Sequence, residues 1–153
     1  MILPSPILEI FGVYDRGIPN LERIVLRANG PVNLSEFAIV LGFVGGTNNI
    51  YPLVDQFMWL GDIELHIQSW VFIFTGPGKP GVSQEVNTKE PLHSIFWNKP
   101  NVIFGNPDLV PALVQLGPVL IGNRPNRSIA DLKKQEPPIS ASDFMKLMDG
   151  SRS

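Results

Sequence analysis

The sequence predicts an all-β protein, a β-sandwich of about eight or nine short strands. The first observation is the stretch from Ile63 to Gly78, where apolar residues alternate with polar ones as far as Ile67 and then run without interruption from Trp70 to Phe74. Alternation indicates a strand with one solvent-facing side, and an unbroken β-branched and aromatic run between turn residues indicates a strand buried on both faces. We expect this pair to form the centre of the sandwich.

The second observation is the distribution of turn-forming residues. The chain contains 14 glycines and 15 prolines, which fall between short apolar runs. Such punctuation favours many short strands over helices. No stretch before Gly122 has the spacing of a useful helix, and this is the third observation.

Ten short apolar or alternating runs bounded by turn residues are the candidates for these strands. In chain order they are Ile7 to Tyr14, Leu21 to Ala28, Phe37 to Phe43, Tyr51 to Leu60, the two central segments, His93 to Trp97, Val102 to Phe104, Leu109 to Leu116 and Val119 to Gly122. Pro52 and Pro111 lack a backbone donor, so their strands are expected at sheet edges. The alternatives are a connection in the case of Pro52 and a late start of the strand in the case of Pro111. The polar stretch from Lys79 to Pro91 is expected to be a long loop.

Length, charge and cysteine usage exclude several classes of protein. A chain of 153 residues that is 44% hydrophobic has room for one domain with a full core and a tail. The net charge of -2 gives no general attraction to nucleic acid or anionic membranes. The absence of cysteine excludes disulfides, thiolate metal sites and a cysteine nucleophile.

The beginning of the chain does not resemble a targeting segment. It has no basic region and contains Pro4 and Pro6, so no signal peptide is expected. No apolar run approaches the roughly 20 residues that span a bilayer. We therefore expect a protein that is cytoplasmic or part of an intracellularly assembled particle.

The composition changes after Gly122. Residues 1–122 are the predicted sandwich, 123–138 a proline-rich extended arm or linker, and 139–153 a short amphipathic helix and tail. Ser140 is suited to cap this helix and Gly150 to end it. An isolated helix of about nine residues is marginal in water, so it needs a surface to lie on. The predicted partner-binding residues are Phe144, Met145, Leu147 and Met148. The alternative is a helix that folds back on its own sandwich.

Five segments of the body occur in a suggestive order. They are LERIVLRANG at 21–30, PVNLSEFAI at 31–39, WVFIFTGPG at 70–78, IFWN at 95–98 and DLVPAL at 108–113. This order resembles the lamin-tail domain, an immunoglobulin-like β-sandwich found in the tails of nuclear lamins and widely in bacterial proteins. Two departures are Glu36-Phe37, where that family has Gly-Trp, and Pro111 in the last strand. The resemblance implies an immunoglobulin-like scaffold that binds partners and has no catalytic apparatus.

Alternating polar residues suggest one candidate metal site. On a strand, Asp62, Glu64 and His66 project from the same face, and two carboxylates with an imidazole are a set that binds divalent cations. The preferred interpretation is the polar face of a half-buried strand, because neighbouring side chains on one strand seldom converge on a metal without further ligands. We therefore predict no metal and no cofactor.

Other motifs also have plainer interpretations. The glycine-rich segment from Gly76 to Gly81 lacks the spacing of a phosphate loop and is not followed by a helix signal, so a turn is expected. The sequence contains no nucleophile motif and only two histidines, which argues against a hydrolase triad. A basic cluster comprises Arg124, Arg127, Lys133 and Lys134, with Asp131 and Glu136 interleaved. Because these acidic residues interrupt the cluster, a solvated linker is the preferred interpretation.

The three tryptophans separate two functional hypotheses. Tryptophans in sandwich strands usually pack in the core, and this is the expected role of Trp59, Trp70 and Trp97. The leading hypothesis is then a non-enzymatic structural or adaptor subunit, for example in a large bacterial or phage-type assembly. It would bind a protein partner, or another copy, through sandwich edges and the C-terminal arm. The alternative is a carbohydrate- or peptide-binding module that uses an exposed tryptophan. Neither hypothesis involves nucleic acid.

Overall fold

The computed structural model describes residues 6–45 and 49–122, and this part of the protein is all-β, as predicted. The strands are β1 (Leu8–Tyr14), β2 (Arg23–Ala28), β3 (Val32–Asn33), β4 (Phe37–Val44), β5 (Ile50–Trp59), β6 (Glu64–Leu65), β7 (Trp70–Phe74), β8 (Gly81–Gln84), β9 (Pro91–Phe96) and β10 (Leu109–Gln115). The ten strands include β3 and β6, which contain only two residues each. The one helical element among the described residues is a 3-10 turn at Leu34–Glu36.

The strands form three sheets. The largest has five strands in the order β1-β2-β7-β9-β8, a second has the order β10-β4-β5, and β3 pairs with β6. All pairings are antiparallel except that of β7 with β9. The chain divides into two units, 1–118 and 119–153, and every strand within the described residues belongs to the first.

One hydrophobic core cluster draws side chains from all three sheets. Its members include Ile24 and Leu26 of β2, Val71 and Ile73 of β7, Ile39 and Leu41 of β4, Val32 of β3 and Leu65 of β6. In the longer strands these residues lie two positions apart, because successive side chains point to opposite faces. Alternation therefore sends one set of side chains into the core and leaves the other set on the outer face.

The central strand β7 corrects one prediction. Its apolar run was expected to be buried on both faces, but only Val71 and Ile73 are buried, whereas Trp70, Phe72 and Phe74 are half-buried. The outer face carries aromatic rings that arginine side chains partly cover. A continuous apolar run thus arises here from a core face and an aromatic outer face.

The alternating segment before β7 is shorter than predicted. Only Glu64 and Leu65 form a strand, and Ile67 is 58% exposed. Gln68 has a φ of 68° and Ser69 donates its amide to the carbonyl of His66, so the chain turns here. This turn ends the strand before the alternation is complete.

Three further expectations about strands and loops are wrong. The stretch from Lys79 to Pro91 contains β8, which pairs with β9. Val102 to Phe104 is not a strand, because the amides of Ile103 and Phe104 donate to the carboxylate of Glu22 instead of to a neighbouring strand. In the second unit, described at residues 119–122, Val119 to Gly122 forms no strand.

The edge positions follow the proline expectation. Pro52 lies in β5 and Pro111 in β10, and these are the two outer strands of the three-stranded sheet. A proline is tolerated there because its missing donor removes no ladder hydrogen bond. The predicted arm and helix, 123–138 and 139–153, lie outside the described residues.

Candidate functional site: an aromatic and arginine-lined cleft

The candidate site lies on the outer face of the five-stranded sheet. The antiparallel register of β2 and β7 pairs Arg27 with Trp70 and Arg23 with Phe74. Alternation brings both arginines to the face that also carries the β7 aromatic side chains. Two guanidinium groups therefore lie among aromatic rings that belong to a neighbouring strand.

The Arg27 side chain stacks on Trp70. Its guanidinium carbon lies 4.1 Å from the centre of the indole ring, within the range of a cation–π contact. Arg27 also forms an ion pair with Glu90 at 2.8 Å, and the indole N–H of Trp70 donates to the hydroxyl of Thr88 at 3.0 Å. Phe11 meets the same indole edge-on at 5.0 Å between ring centres. These contacts hold Trp70 in a fixed orientation.

The Arg23 side chain forms a second cluster. Its guanidinium lies 5.2 Å from the centre of the Phe72 ring and 5.8 Å from that of Tyr14. One terminal nitrogen donates to Asp15 at 2.7 Å and to the carbonyl of Leu21 at 2.9 Å. The Nε atom is buried and has no hydrogen-bond partner within the described part of the chain. Arg23 is thus positioned by rings and by one carboxylate while part of its donor capacity stays unused.

Between these clusters lies a cleft of about 280 Å³. Aromatic and apolar side chains line most of it, and a polar turn borders one side. The lining residues are Phe11, Tyr14, Arg23, Val25, Trp70, Phe72, Glu85, Asn87 and Thr88. Phe11 is 55% exposed and Tyr14 is 41% exposed, so aromatic surface is available to a ligand. We refer to this feature as the aromatic cleft.

The polar turn beside the aromatic cleft is held by its own hydrogen bonds. The carboxylate of Glu85 accepts from the backbone amides of Thr88 and Asn87. The Thr88 amide is the largest cause of a lowered pKa of Glu85, and the turn therefore presents a carboxylate at neutral pH. An apolar floor with polar groups at one side is the usual chemistry of a binding site.

A second unusual carboxylate lies away from the aromatic cleft. Glu22 is 1% exposed, and its two oxygens accept from the amides of Gly17, Ile103 and Phe104 and from the hydroxyl of Thr75. Burial raises its pKa, but the hydrogen bonds from Ile103, Thr75, Gly17 and Phe104 together lower it below the ordinary value. All of these donors belong to the protein, so Glu22 joins three segments of chain.

The tryptophans do not share the core role expected of them. Trp59 is 52% exposed and donates its indole N–H to the carbonyl of Ser35 at 2.7 Å. Trp70 lines the aromatic cleft, and Trp97 alone of the three packs against the core cluster. The sequence signal was weak because an apolar run does not reveal which of its aromatic side chains point outward.

In the alternating row of Asp62, Glu64 and His66, one side-chain amide holds the two carboxylates. Asn33 donates to both carboxylates, at 2.8 Å to Asp62 and 2.9 Å to Glu64. Burial and the charge of His66 lower the pKa of His93, the other histidine. Within residues 6–45 and 49–122, no group of three potential ligands is arranged to hold a metal ion.

The glycine-rich segment from Gly76 to Gly81 leads into a strand. The amide of Gly78 donates to the side chain of Asn98 at 3.2 Å, and a Cβ at Gly78 would overlap the Phe96 ring. The segment therefore serves as a tight connection between β7 and β8.

Several predicted features cannot be placed on this surface. Phe144, Met145, Leu147 and Met148 lie outside the described residues, as does the basic cluster from Arg124 to Lys134. No described helix is long and apolar enough to cross a membrane. Comparison with protein-family models, curated proteins and solved structures finds no match to this chain.

Proposed function

We propose that the chain is a non-catalytic structural or adaptor module, an immunoglobulin-like sandwich of the lamin-tail type, that binds a protein partner at the aromatic cleft. The shared core of the two larger sheets supports the sandwich architecture. The C-terminal arm and the helix after it, with Phe144, Met145, Leu147 and Met148, are proposed as a second contact with the partner.

The observation that carries this proposal is the composition of the outer face of β7. A strand face in water ordinarily carries polar side chains, yet here Trp70, Phe72 and Phe74 alternate with the core residues. Tryptophan, tyrosine and arginine are enriched among the few residues that dominate the binding free energy at protein interfaces, because they bury large areas and still form polar contacts. The aromatic cleft combines all three residue types.

The non-catalytic part of the proposal rests on the buried carboxylate. Glu22 has the surroundings that often mark a catalytic acid or base, but its oxygens are enclosed and accept hydrogen bonds only from the protein itself. A group so enclosed does not reach a substrate. In the cleft-side carboxylate of Glu85, Oε2 is occupied in holding its own turn.

Replacement of Trp70 by alanine should greatly reduce partner binding. We expect immobilised full-length protein to recover a defined set of proteins from the native source, and Trp70→Ala to recover them at least about tenfold less, since interface hot spots contribute 2 kcal/mol or more. Quantitative mass spectrometry of the captured proteins measures this. Trp59→Ala is the matched control, because Trp59 is an exposed tryptophan outside the aromatic cleft.

Two further baits make this experiment decisive. Phe11→Ala removes a largely exposed wall of the aromatic cleft and should lower recovery even if Trp70→Ala unfolds. A bait that ends at Gly122 reports on the arm, whose proposed contact predicts loss of part of the set. Equal recovery by wild type, Phe11→Ala and a folded Trp70→Ala would contradict the proposed site.

A carbohydrate or short peptide is the second candidate ligand. It is favoured by the exposed rings of Phe11 and Tyr14 next to the polar turn at Glu85, Asn87 and Thr88. Aromatic-lined grooves also accept proline-rich segments.

A variant in which Trp70 is the sole tryptophan tests this candidate. With Trp59→Phe and Trp97→Phe in place, binding at the aromatic cleft should shift Trp70 emission and protect it from acrylamide. Titration with soluble polysaccharides and with a proline-rich peptide measures both changes. Saturable protection by one of them identifies the ligand class, and the same titration of Phe11→Ala in this background should need more ligand. An emission spectrum that none of the probes alters would rule out this second candidate.

A further inference from the structure

Four strands form the edges of the two larger sheets, and three of them carry a proline or a register shift that discourages pairing with another chain. Pro52 lies in β5 and Pro111 in β10, while β1 has a register shift between Ile10 and Gly12. Prolines and bulges protect edges because they interrupt the row of unpaired donors and acceptors. The fourth edge, β8, contains neither.

The residues of β8 leave its outer side open. Its sequence, Gly81-Val82-Ser83-Gln84, has no proline and no charged residue, and all four residues are exposed. No other described strand pairs with it besides β9. Its brevity limits the number of hydrogen bonds it can offer but leaves every one of them accessible.

The pairing of β8 with β9 determines which backbone groups point outward. The amide of Glu85 donates to the carbonyl of Glu90, so these two residues occupy a hydrogen-bonded position of the antiparallel ladder. Hydrogen-bonded and non-hydrogen-bonded positions alternate along such a ladder. Ser83 therefore forms hydrogen bonds with β9, and the N–H and C=O of Val82 and Gln84 point away from β9. This phase agrees with Pro91, which has no N–H to donate to Gln84.

We infer that β8 pairs with β8 of a second copy of this chain, antiparallel and centred on Ser83. In this register Val82 faces Gln84 of the second copy, and both residues direct their N–H and C=O across the new edge. Two-fold symmetry then gives four backbone hydrogen bonds. Glu85 falls opposite Gly81, so no like charges oppose each other. A second copy is the fitting occupant because the same four residues supply both sides of an isologous contact.

The dimer also has a consequence for the aromatic cleft. The two-fold axis of such a strand pair is perpendicular to the sheet, so the two five-stranded sheets join into one and their outer faces look in the same direction. The two aromatic clefts are then side by side, which favours a bivalent partner by raising the effective concentration of the second site. This consequence rests on the proposed function, whereas the strand pairing does not.

A single cysteine at position 83 tests the register directly. The chain has no cysteine of its own, so Ser83→Cys introduces the only thiol. At a position that is not hydrogen-bonded across the new edge the two Cα atoms lie about 4.5 Å apart, a separation that a disulfide spans. With oxidised glutathione as the oxidant, two thiols become one disulfide while glutathione is reduced. We expect Ser83→Cys to form the covalent dimer at least about tenfold faster than a variant whose thiols meet only by random collision.

Val86→Cys is the matched control. Val86 is highly exposed and lies in the turn beyond β8, so in this register it does not lie opposite its own counterpart. Equal rates of dimer formation for Ser83→Cys and Val86→Cys would overturn the inferred register.

Val82→Pro tests the hydrogen bonds. It removes a donor that points away from β9, so the existing sheet keeps its ladder. Sedimentation equilibrium should show that the wild-type mass rises with protein concentration and that Val82→Pro weakens dimerisation about tenfold or more, because the symmetric contact loses two hydrogen bonds. Val82→Thr keeps the donor and should behave as wild type. A wild-type protein that stays monomeric throughout the concentration series, or a Val82→Pro dimer of undiminished stability, overturns the inference. Either result leaves the test of the aromatic cleft by Trp70→Ala unaffected.

Discussion

Replacement of Glu22 by alanine should remove much of the stability of the fold. The carboxylate accepts from Gly17, Thr75, Ile103 and Phe104, and the substitution leaves these donors without their acceptor in a buried site. A buried donor without a partner costs about 1–3 kcal/mol, so the three backbone amides alone predict a loss of roughly 3 kcal/mol or more. Urea unfolding followed by circular dichroism measures it.

Glu22→Gln separates hydrogen bonding from charge. Its carbonyl oxygen can take the place of Oε1 and accept from Gly17 and Phe104, while its amide group faces the Thr75 hydroxyl, which can rotate to accept. The amide of Ile103 is then left without an acceptor, so we expect a smaller loss of about 1–3 kcal/mol. Glu36→Gln is the control, because Glu36 is exposed and lies outside this network. Equal stability of Glu22→Gln and Glu36→Gln would contradict the role assigned to Glu22.

The same residue predicts part of the acid sensitivity. The folded-state pKa of Glu22 lies below its ordinary value of 4.5, so the folded state favours the ionised form. The stability that this provides is fully present above the unfolded-state pKa and is lost as the pH falls through the lower, folded-state pKa. The free energy of unfolding of wild type should therefore decrease more steeply than that of Glu22→Gln as the pH falls from neutrality to below 4.5.

The strands of the core were predictable from the sequence because their patterns are local. β1, β2, β4, β9 and β10 each lie within a predicted segment or extend it by a residue or two. Pro52 and Pro111 correctly predicted that β5 and β10 lie at sheet edges. The strand β8 was missed because Gly-Val-Ser-Gln has no apolar face of its own, and only pairing with β9 makes it a strand. Val102 to Phe104 failed for the opposite reason, since a distant carboxylate takes the amides that a strand would use.

The candidate site was the least predictable part. It depends on Arg27 stacking on Trp70, two residues that are far apart in the chain and meet only through the register of β2 with β7. The alternating arginines of β2 and the aromatic positions of β7 were visible in the sequence. The face of the sheet that each set occupies was not visible, because an apolar run does not show which of its residues point toward the core. The interior of β4 also contains a glycine at a point where the neighbouring strand packs closely.

Gly42→Ala should destabilise the three-stranded sheet. A Cβ at this position would lie 2.5 Å from the carbonyl oxygen of Tyr51 and 2.6 Å from a side-chain carbon of Ile50, distances that real contacts do not reach. The oxygen belongs to the backbone of the paired strand β5 and cannot rotate away, so the two strands must separate. The register between β4 and β5 already shifts between Val40 and Gly42, which lets this close approach occur.

We expect Gly42→Ala to lower the free energy of unfolding by about 1–3 kcal/mol, the usual cost of overpacking. Gly105→Ala is the control, since a Cβ there meets no atom within 4 Å. Because β5 ends at Trp59, its displacement should also change the emission of that residue, which Trp70→Phe and Trp97→Phe isolate. If Gly42→Ala matches Gly105→Ala in both measurements, the close approach of β4 and β5 is wrong. If stability falls while Trp59 emission is unchanged, the strain is relieved within β4 and the edge strand keeps its place.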